Sequence, residues 1–236
     1  MNKQLASLYE KTLLKVNFHG IDETHISPPL LLSTTAKWVN SNKRILVIGQ
    51  ETLGWEWGKI RNLSDFKELK AISSMIENYE RFSFGENYRH KSSPFWKAFR
   101  LVRTSLSGSE NTGFESNVLW TNLFRSSYDG GSFLKKANLA IANEFITNTS
   151  SVLIQEIALL QPTEVIFFTG PNYDKYIKKT FQQVTFKPLN ENTPLRELAK
   201  IEIPSFNASC YRTYHPNYLQ RSKKFGYINT IINDIK

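Results

Sequence analysis

The chain has 236 residues, of which 40% are hydrophobic and 22% charged, a balance that excludes an intrinsically disordered or peptide-like protein. Lys and Arg number 30 against 21 Asp and Glu, and the formal charge of +9 favours polyanionic partners, nucleic acid first and an anionic membrane surface second. The single cysteine, Cys210, excludes an internal disulfide, a cysteine-rich zinc site and a four-cysteine iron–sulfur cluster, and makes a cytoplasmic location the default.

Short apolar runs in the sequence predict buried strands, each followed by polar loop sequence. In chain order these strands cover Arg44–Gly49, Val118–Asn122 and Glu164–Gly170, and a later strand is expected around Ala199–Ile203. Helical patterns separate the strands, because apolar residues recur every three or four positions from Phe95 to Leu106 and Ala137–Leu160 is long enough for one or two helices.

Strands that alternate with helices predict a layered α/β domain with a mainly parallel sheet. We expect a single domain over residues 1–236, with residues 1–43 as an N-terminal helical extension and residues 44–236 as the core. No segment approaches the roughly 20 apolar residues of a membrane span, and charged residues interrupt the first sixteen positions. The sequence therefore predicts no membrane-spanning segment and no obvious export, and of the two polyanionic partners we expect nucleic acid and not a membrane.

The loop after the first predicted strand, Gly49–Gly58, is the first candidate site, because ligands of such sheets bind beyond the carboxyl ends of the strands. Two of its glycines have the spacing of a phosphate loop, but Trp55 and Glu56 stand where Lys and Ser or Thr are needed. The glycine spacing of the dinucleotide fingerprint is also absent. A carboxamide, Gln50, and a carboxylate, Glu51, remain; alternatively, Glu51 accepts loop amides or caps a helix.

Two further polar residues lie at positions that suit chemistry. Asn122 ends the second predicted strand, where its carboxamide presents a donor and an acceptor to a nucleobase edge, although a turn-forming Asn is equally open. His215 precedes Pro216 within basic and aromatic sequence, and a structural histidine is the alternative. The four histidines and Cys210 lack the spacing of metal ligands, so no metal site is predicted.

Taken in order, these segments resemble the motifs of the uracil-DNA glycosylase superfamily. Gly49 to Leu53 occupies the place of its first motif, and Ser83-Phe84-Gly85-Glu86 is similar to the P-F-G-E of the single-strand-selective branch. Val118–Asn122 matches the strand that ends in Asn, and His215-Pro216-Asn217-Tyr218 is similar to the final H-P-S-P motif. The matches span most of the chain but rest on few positions.

The resemblance implies a three-layer α/β/α fold and a monomeric, cytoplasmic or nucleoid-associated DNA glycosylase of base-excision repair. Such an enzyme flips uracil or a related deaminated base out of single- or double-stranded DNA and hydrolyses its N-glycosidic bond without metal or cofactor. Glu51 would orient water and stabilise the cationic sugar, while His215 would donate to the base carbonyl. The base would be bound by Gln50, Phe84, for which Phe82 is a rival, and Asn122. The expected DNA contacts are Asn217, Leu219 as a wedge, Arg221, Lys223 and Lys224.

Departures from the family pattern keep two alternatives open. Glu51 stands where the family has Asp or Asn, and Leu53 stands where the uracil-specific branch has a tyrosine that excludes the thymine methyl. The base preference is therefore open, and a catalytically inactive, nucleic-acid-binding relative is the main alternative function. A nucleoside or nucleotide hydrolase is a third, which would need neither the wedge nor the basic tail.

Two basic stretches flank the predicted site residues and support nucleic acid as the partner. Residues 81–106 contain six basic residues against one acidic, and residues 211–236 contain five against one. Positive charge beside Phe84 and His215 is what binding to phosphates requires. The alternative for Lys97, Arg100 and Arg103 is the ordinary solvated face of a helix.

Overall fold

The computed structural model describes residues 1–85, 91–107 and 115–236. The chain divides into two units, each assembled from three stretches and each described by itself. The first unit contains Met1–Ser33, Glu51–Glu80 and Thr121–Leu160, and the second contains Thr34–Gln50, Arg81–Trp120 and Gln161–Lys236.

Six strands in the described residues form one mixed, mainly parallel sheet with the order β2-β1-β3-β6-β5-β4. The strands are β1 (Ile45–Glu51), β2 (Val118–Phe124), β3 (Glu164–Phe167), β4 (Thr185–Pro188), β5 (Leu198–Glu202) and β6 (Ser209–Thr213). β3 runs parallel to both β1 and β6, with Ile45 opposite Glu164 and Glu164 opposite Ser209. The pairs β6–β5 and β5–β4 are antiparallel.

The strands β1 and β2 also run in the same direction. The N–H of Ile45, which begins β1, donates to Asn117, which directly precedes β2. The N–H of Thr52, which follows β1, donates to Phe124, the last residue of β2. The apolar runs that predicted strands near residues 44, 118 and 164 therefore lie in the parallel part of the sheet. Residues 45–48 are fully buried, as expected for a strand that is covered on both faces.

The described residues also form ten α-helices, of which those at residues 94–106 and 139–160 correspond to the helical patterns predicted for the core. They are α1 (Asn2–Thr12), α2 (Ala36–Asn40), α3 (Leu63–Glu68), α4 (Ile72–Ser83), α5 (Pro94–Leu106), α6 (Phe133–Lys136), α7 (Leu139–Leu160), α8 (Asp174–Thr180), α9 (Pro216–Arg221) and α10 (Tyr227–Ile235). The predicted α/β class with a mainly parallel sheet is thus confirmed, and helices flank that sheet. Among the residues that the structure describes, no helix combines the length and apolar character that crossing a bilayer requires.

The N-terminal helix belongs to the core of the first unit. α1 packs against α7, and its Leu5 and Tyr9 side chains are fully buried. The Tyr9 hydroxyl donates to Glu156 at 2.7 Å, and the Arg125 guanidinium forms two hydrogen bonds with the same carboxylate, at 2.9 and 3.1 Å. Because all three groups are buried, each supplies the hydrogen-bond partners that water would otherwise provide to the others. Through Tyr9, α1 thus takes part in a buried polar cluster of this unit.

Candidate functional site

In the second unit, three parallel strands end at one edge of the sheet and bring together residues from distant parts of the sequence. The Gln50 side chain, near the end of β1, donates through Nε2 to the carbonyl of Thr169 at 2.6 Å. The Gly170 N–H, beyond β3, donates to Thr213 at the end of β6. His215 follows β6 by two residues. The edge predicted to carry the site therefore places Gln50, the loop after β3 and the His215 segment side by side.

Glycine is required in the loop after β3. Gly170 has φ +73° and ψ 166°, a conformation that residues with a side chain rarely adopt. A Cβ atom at this position would lie 3.5 Å from the Tyr214 ring and 3.7 Å from the His215 nitrogen. The loop after β3 therefore passes close to the residues that precede α9.

The His215 imidazole is held as a neutral hydrogen-bond donor. It caps α9, and its Nδ1 accepts the backbone N–H of Asn217 at 3.2 Å. A neutral ring that accepts at Nδ1 carries its proton on Nε2. Burial lowers the pKa of His215 to about 4, so the ring is uncharged at neutral pH. His215 thus has the properties of a fixed Nε2–H donor.

Phe95, which the sequence analysis placed only on a helix face, packs against this imidazole. The two rings are stacked, with centroids 5.9 Å apart and planes 18° from parallel. Phe95 lies in the first turn of α5, after Pro94, and contacts Phe168 edge to face at 6.2 Å. No local pattern in the sequence reveals this contact, because Phe95 and His215 lie 120 positions apart.

Both candidates for base stacking, Phe84 and Phe82, lie in the second unit. Phe84 is only 8% exposed. Its rival Phe82 packs against Trp96 and Trp120, with ring centroids 5.0 and 5.8 Å away. Stacking on an extruded base requires an accessible ring face, so this role of Phe84 stays a prediction. Glu86, which completes the motif, lies outside the described residues.

Glu51 and Asn122 lie in the first unit, where both have partners. The Glu51 carboxylate accepts the N–H of Phe133, the first residue of α6, at 2.7 Å, which is the amide-accepting role given above as the alternative for this residue. Asn122 is 6% exposed and donates through Nδ2 to the Thr52 hydroxyl at 2.8 Å. Its amide nitrogen has a second N–H, so base recognition by Asn122 stays a prediction.

The expected DNA contacts after His215 divide into exposed and internal groups. Asn217, Arg221 and Lys223 are exposed. Lys224 is half-buried and forms an ion pair with Glu197, whose pKa this hydrogen bond lowers. Leu219 is fully buried. A wedge must project from the surface to enter a duplex. The expected wedge role of Leu219 is therefore wrong for this structure, in which the side chain packs in the core.

Part of the basic charge near the site is also internal. Arg212, in β6, is 1% exposed and forms an ion pair with Asp174 at 3.1 Å. Arg103, in α5, is 1% exposed, so it belongs neither to a phosphate-binding surface nor to a solvated helix face. Arg89 lies outside the described residues. Arg103 and Arg212 therefore do not contribute to the exposed basic surface that the sequence predicted for phosphate binding.

No protein-family model matches the chain, and no curated protein is similar enough to match it. In the described ranges, no group of three His, Cys, Asp or Glu side chains could hold a metal ion. The functional interpretation therefore rests on the residues of the chain itself, and on the His215 edge of the sheet above all.

Proposed function

We propose that the protein is a DNA glycosylase with the three-layer fold of the uracil-DNA glycosylase superfamily, and that it hydrolyses the N-glycosidic bond of uracil or a related deaminated base. The observation that carries the proposal is the state of His215. A neutral imidazole with a fixed Nε2–H, at the carboxyl-end edge of a parallel sheet, is a preorganised donor for an oxygen on which negative charge develops.

The reaction needs such a donor because the leaving group is an anion. When the bond between the sugar C1′ and the base nitrogen breaks, its electron pair stays on the base and spreads onto the neighbouring carbonyl oxygen. The Nε2–H of His215 donates to that oxygen. Water adds to C1′, and its proton reaches the departing base, so the products are an abasic sugar and the free base.

The reaction must also stabilise the positive charge that develops on the sugar and orient the attacking water. The proposal assigns both tasks to Glu51. The Phe133 N–H fixes one oxygen of that carboxylate at 2.7 Å. A carboxylate held in this way loses little conformational freedom when it orients water. Gln50, Phe84 and Asn122 keep their predicted base-binding roles within the proposal.

The test is a cleavage assay on uracil-containing single strands and duplexes, with abasic product as the readout. His215→Gln should lower the rate by about 10² to 10³-fold, the usual cost of removing one preorganised donor to a developing negative charge. Glu51→Gln should lower it by about 10² to 10⁴-fold, the usual contribution of a general base. His19→Gln and Glu10→Gln, at exposed positions, are the matched controls and should retain the wild-type rate. Absence of abasic product from uracil and from other deaminated bases would refute the enzymatic proposal.

A catalytically inactive, nucleic-acid-binding protein is the second candidate. It is favoured by the contact between Glu51 and Phe133, because accepting the N–H at the start of α6 is a structural role for this carboxylate. DNA binding that weakens with salt, without abasic product, would establish this alternative.

A further inference from the structure

The exposed residues of α9 and of the turn after it form one surface, which we term the α9 face. The α9 face consists of Asn217, Tyr218, Gln220, Arg221 and Lys223, all exposed. Tyr218 is 42% exposed, whereas Leu219 beside it is fully buried. The large side chain presented to solvent next to His215 is therefore an aromatic ring, and the aliphatic one is in the core.

The Tyr218 ring is held in place. Tyr214 packs against it, with ring centroids 4.3 Å apart and planes inclined by 36°. The backbone of Tyr218 is fixed as well, because its N–H donates to the His215 carbonyl at 2.8 Å and its carbonyl accepts from Ser222. A supported ring with an accessible side can stack on a flat ligand at a small further cost in conformational entropy.

The charge of the α9 face is uncompensated. In the described part of the chain, the Arg221 and Lys223 side chains have no ion-pair partner, in contrast to Lys224, which pairs with Glu197. Lys223 has φ +57° and ends the turn after the helix. Two free cations within five residues of a supported aromatic ring match the combination that binds unpaired nucleic-acid strands, in which phosphates meet cations while bases stack on rings.

We propose that the α9 face binds single-stranded DNA, with an unpaired base stacked on Tyr218 and the adjoining phosphates on Arg221 and Lys223. This inference rests on the proposed function, which makes DNA the polyanionic substrate, and it adds the strand class. A base within a duplex already stacks on both of its faces, so a ring supported by Tyr214 gains most from a base that has no such neighbours.

The test measures binding of a short fluorescein-labelled oligothymidylate, alone and annealed to its complement, by anisotropy across a salt series. Tyr218→Ala should weaken binding to the single strand about tenfold, whereas Tyr218→Phe should retain it. Arg221→Gln and Lys223→Gln should each reduce the salt slope by about one. Leu69→Ala, which removes a large exposed side chain outside the α9 face, 55% exposed, is the control and should bind as the wild type does.

Unchanged affinity of Tyr218→Ala, or tighter binding of the duplex than of the single strand by the wild-type protein, would overturn the inference. The cleavage assay is run in parallel, which separates the two proposals. A wild-type protein without glycosylase activity whose affinity falls on Tyr218→Ala keeps the α9 face and ends the glycosylase proposal. An active glycosylase whose affinity for the single strand is unaffected by Tyr218→Ala supports the glycosylase proposal and ends the proposal for the α9 face.

Discussion

The depressed pKa of His215 has a consequence for stability that can be measured without knowing the substrate. Its pKa is about 4 in the folded protein against 6.5 for an unperturbed histidine. Above pH 6.5 the ring is neutral in both the folded and unfolded chains, and it then contributes no difference. As the pH falls below 6.5, the unfolded chain binds a proton that the folded chain does not, so stability is lost between pH 6.5 and pH 4.

The magnitude follows from the two pKa values. A difference of about 2.5 units, at 1.36 kcal/mol for each unit, gives a maximal loss of about 3 kcal/mol below pH 4. At pH 5.5, where the unfolded histidine is about nine-tenths protonated, the loss is about 1.4 kcal/mol. Both values are upper estimates, since His215 is half-buried and not fully shielded from solvent.

The matched variant is His215→Asn, because Asn can cap α9 in place of the imidazole but does not titrate. Free energies of unfolding from urea titrations at pH 7.5, 5.5 and 4.5 are compared between the two proteins, so that the carboxylates common to both cancel. The wild type should lose stability relative to His215→Asn on acidification. A difference between the two proteins that is independent of pH would refute the burial of a neutral His215.

Three further substitutions test other parts of the structure through urea unfolding. Leu219→Ala should lower the free energy of unfolding by about 2 to 5 kcal/mol, because it opens a cavity in the core; a stable variant with weakened DNA binding would restore the wedge interpretation. Glu156→Gln should cost about 3 to 5 kcal/mol, because it leaves the Arg125 charge buried without a carboxylate, and a loss below 1 kcal/mol would contradict that burial. Gly170→Ala should cost about 1 to 3 kcal/mol through backbone strain, and unchanged stability would show that this φ is not required.

The strands that the sequence predicts best are those made of uninterrupted apolar residues, because their burial requires no partner from elsewhere in the chain. The predicted Arg44–Gly49 corresponds to β1, and the predicted Glu164–Gly170 begins with β3. By contrast, β6 contains Arg212, whose charge argues against a buried strand until it is paired. Its partner Asp174 lies 38 residues earlier in the chain, and no local pattern reveals such a pairing.

The candidate site shows the same limit. Gln50 can be selected from the sequence because it follows an apolar run, and His215 because it precedes Pro216 within basic and aromatic sequence. Whether Tyr218 or Leu219 faces solvent depends on the rotation of a six-residue helix, which the His215 cap and the packing of α9 against α5 determine. Phe95 could not be assigned for a similar reason, since its contact with His215 joins residues 120 positions apart.

The construction of the first unit from separate stretches affects how the protein is made on the ribosome. α1 is synthesised at the outset, but α7, against which it packs, is complete only when Leu160 has been added. Leu5 and Tyr9 therefore remain unburied in the nascent chain while most of the intervening sequence is translated. Fragments that end before α7 would expose this apolar face permanently, so a shortened gene product is expected to aggregate rather than to yield either unit alone.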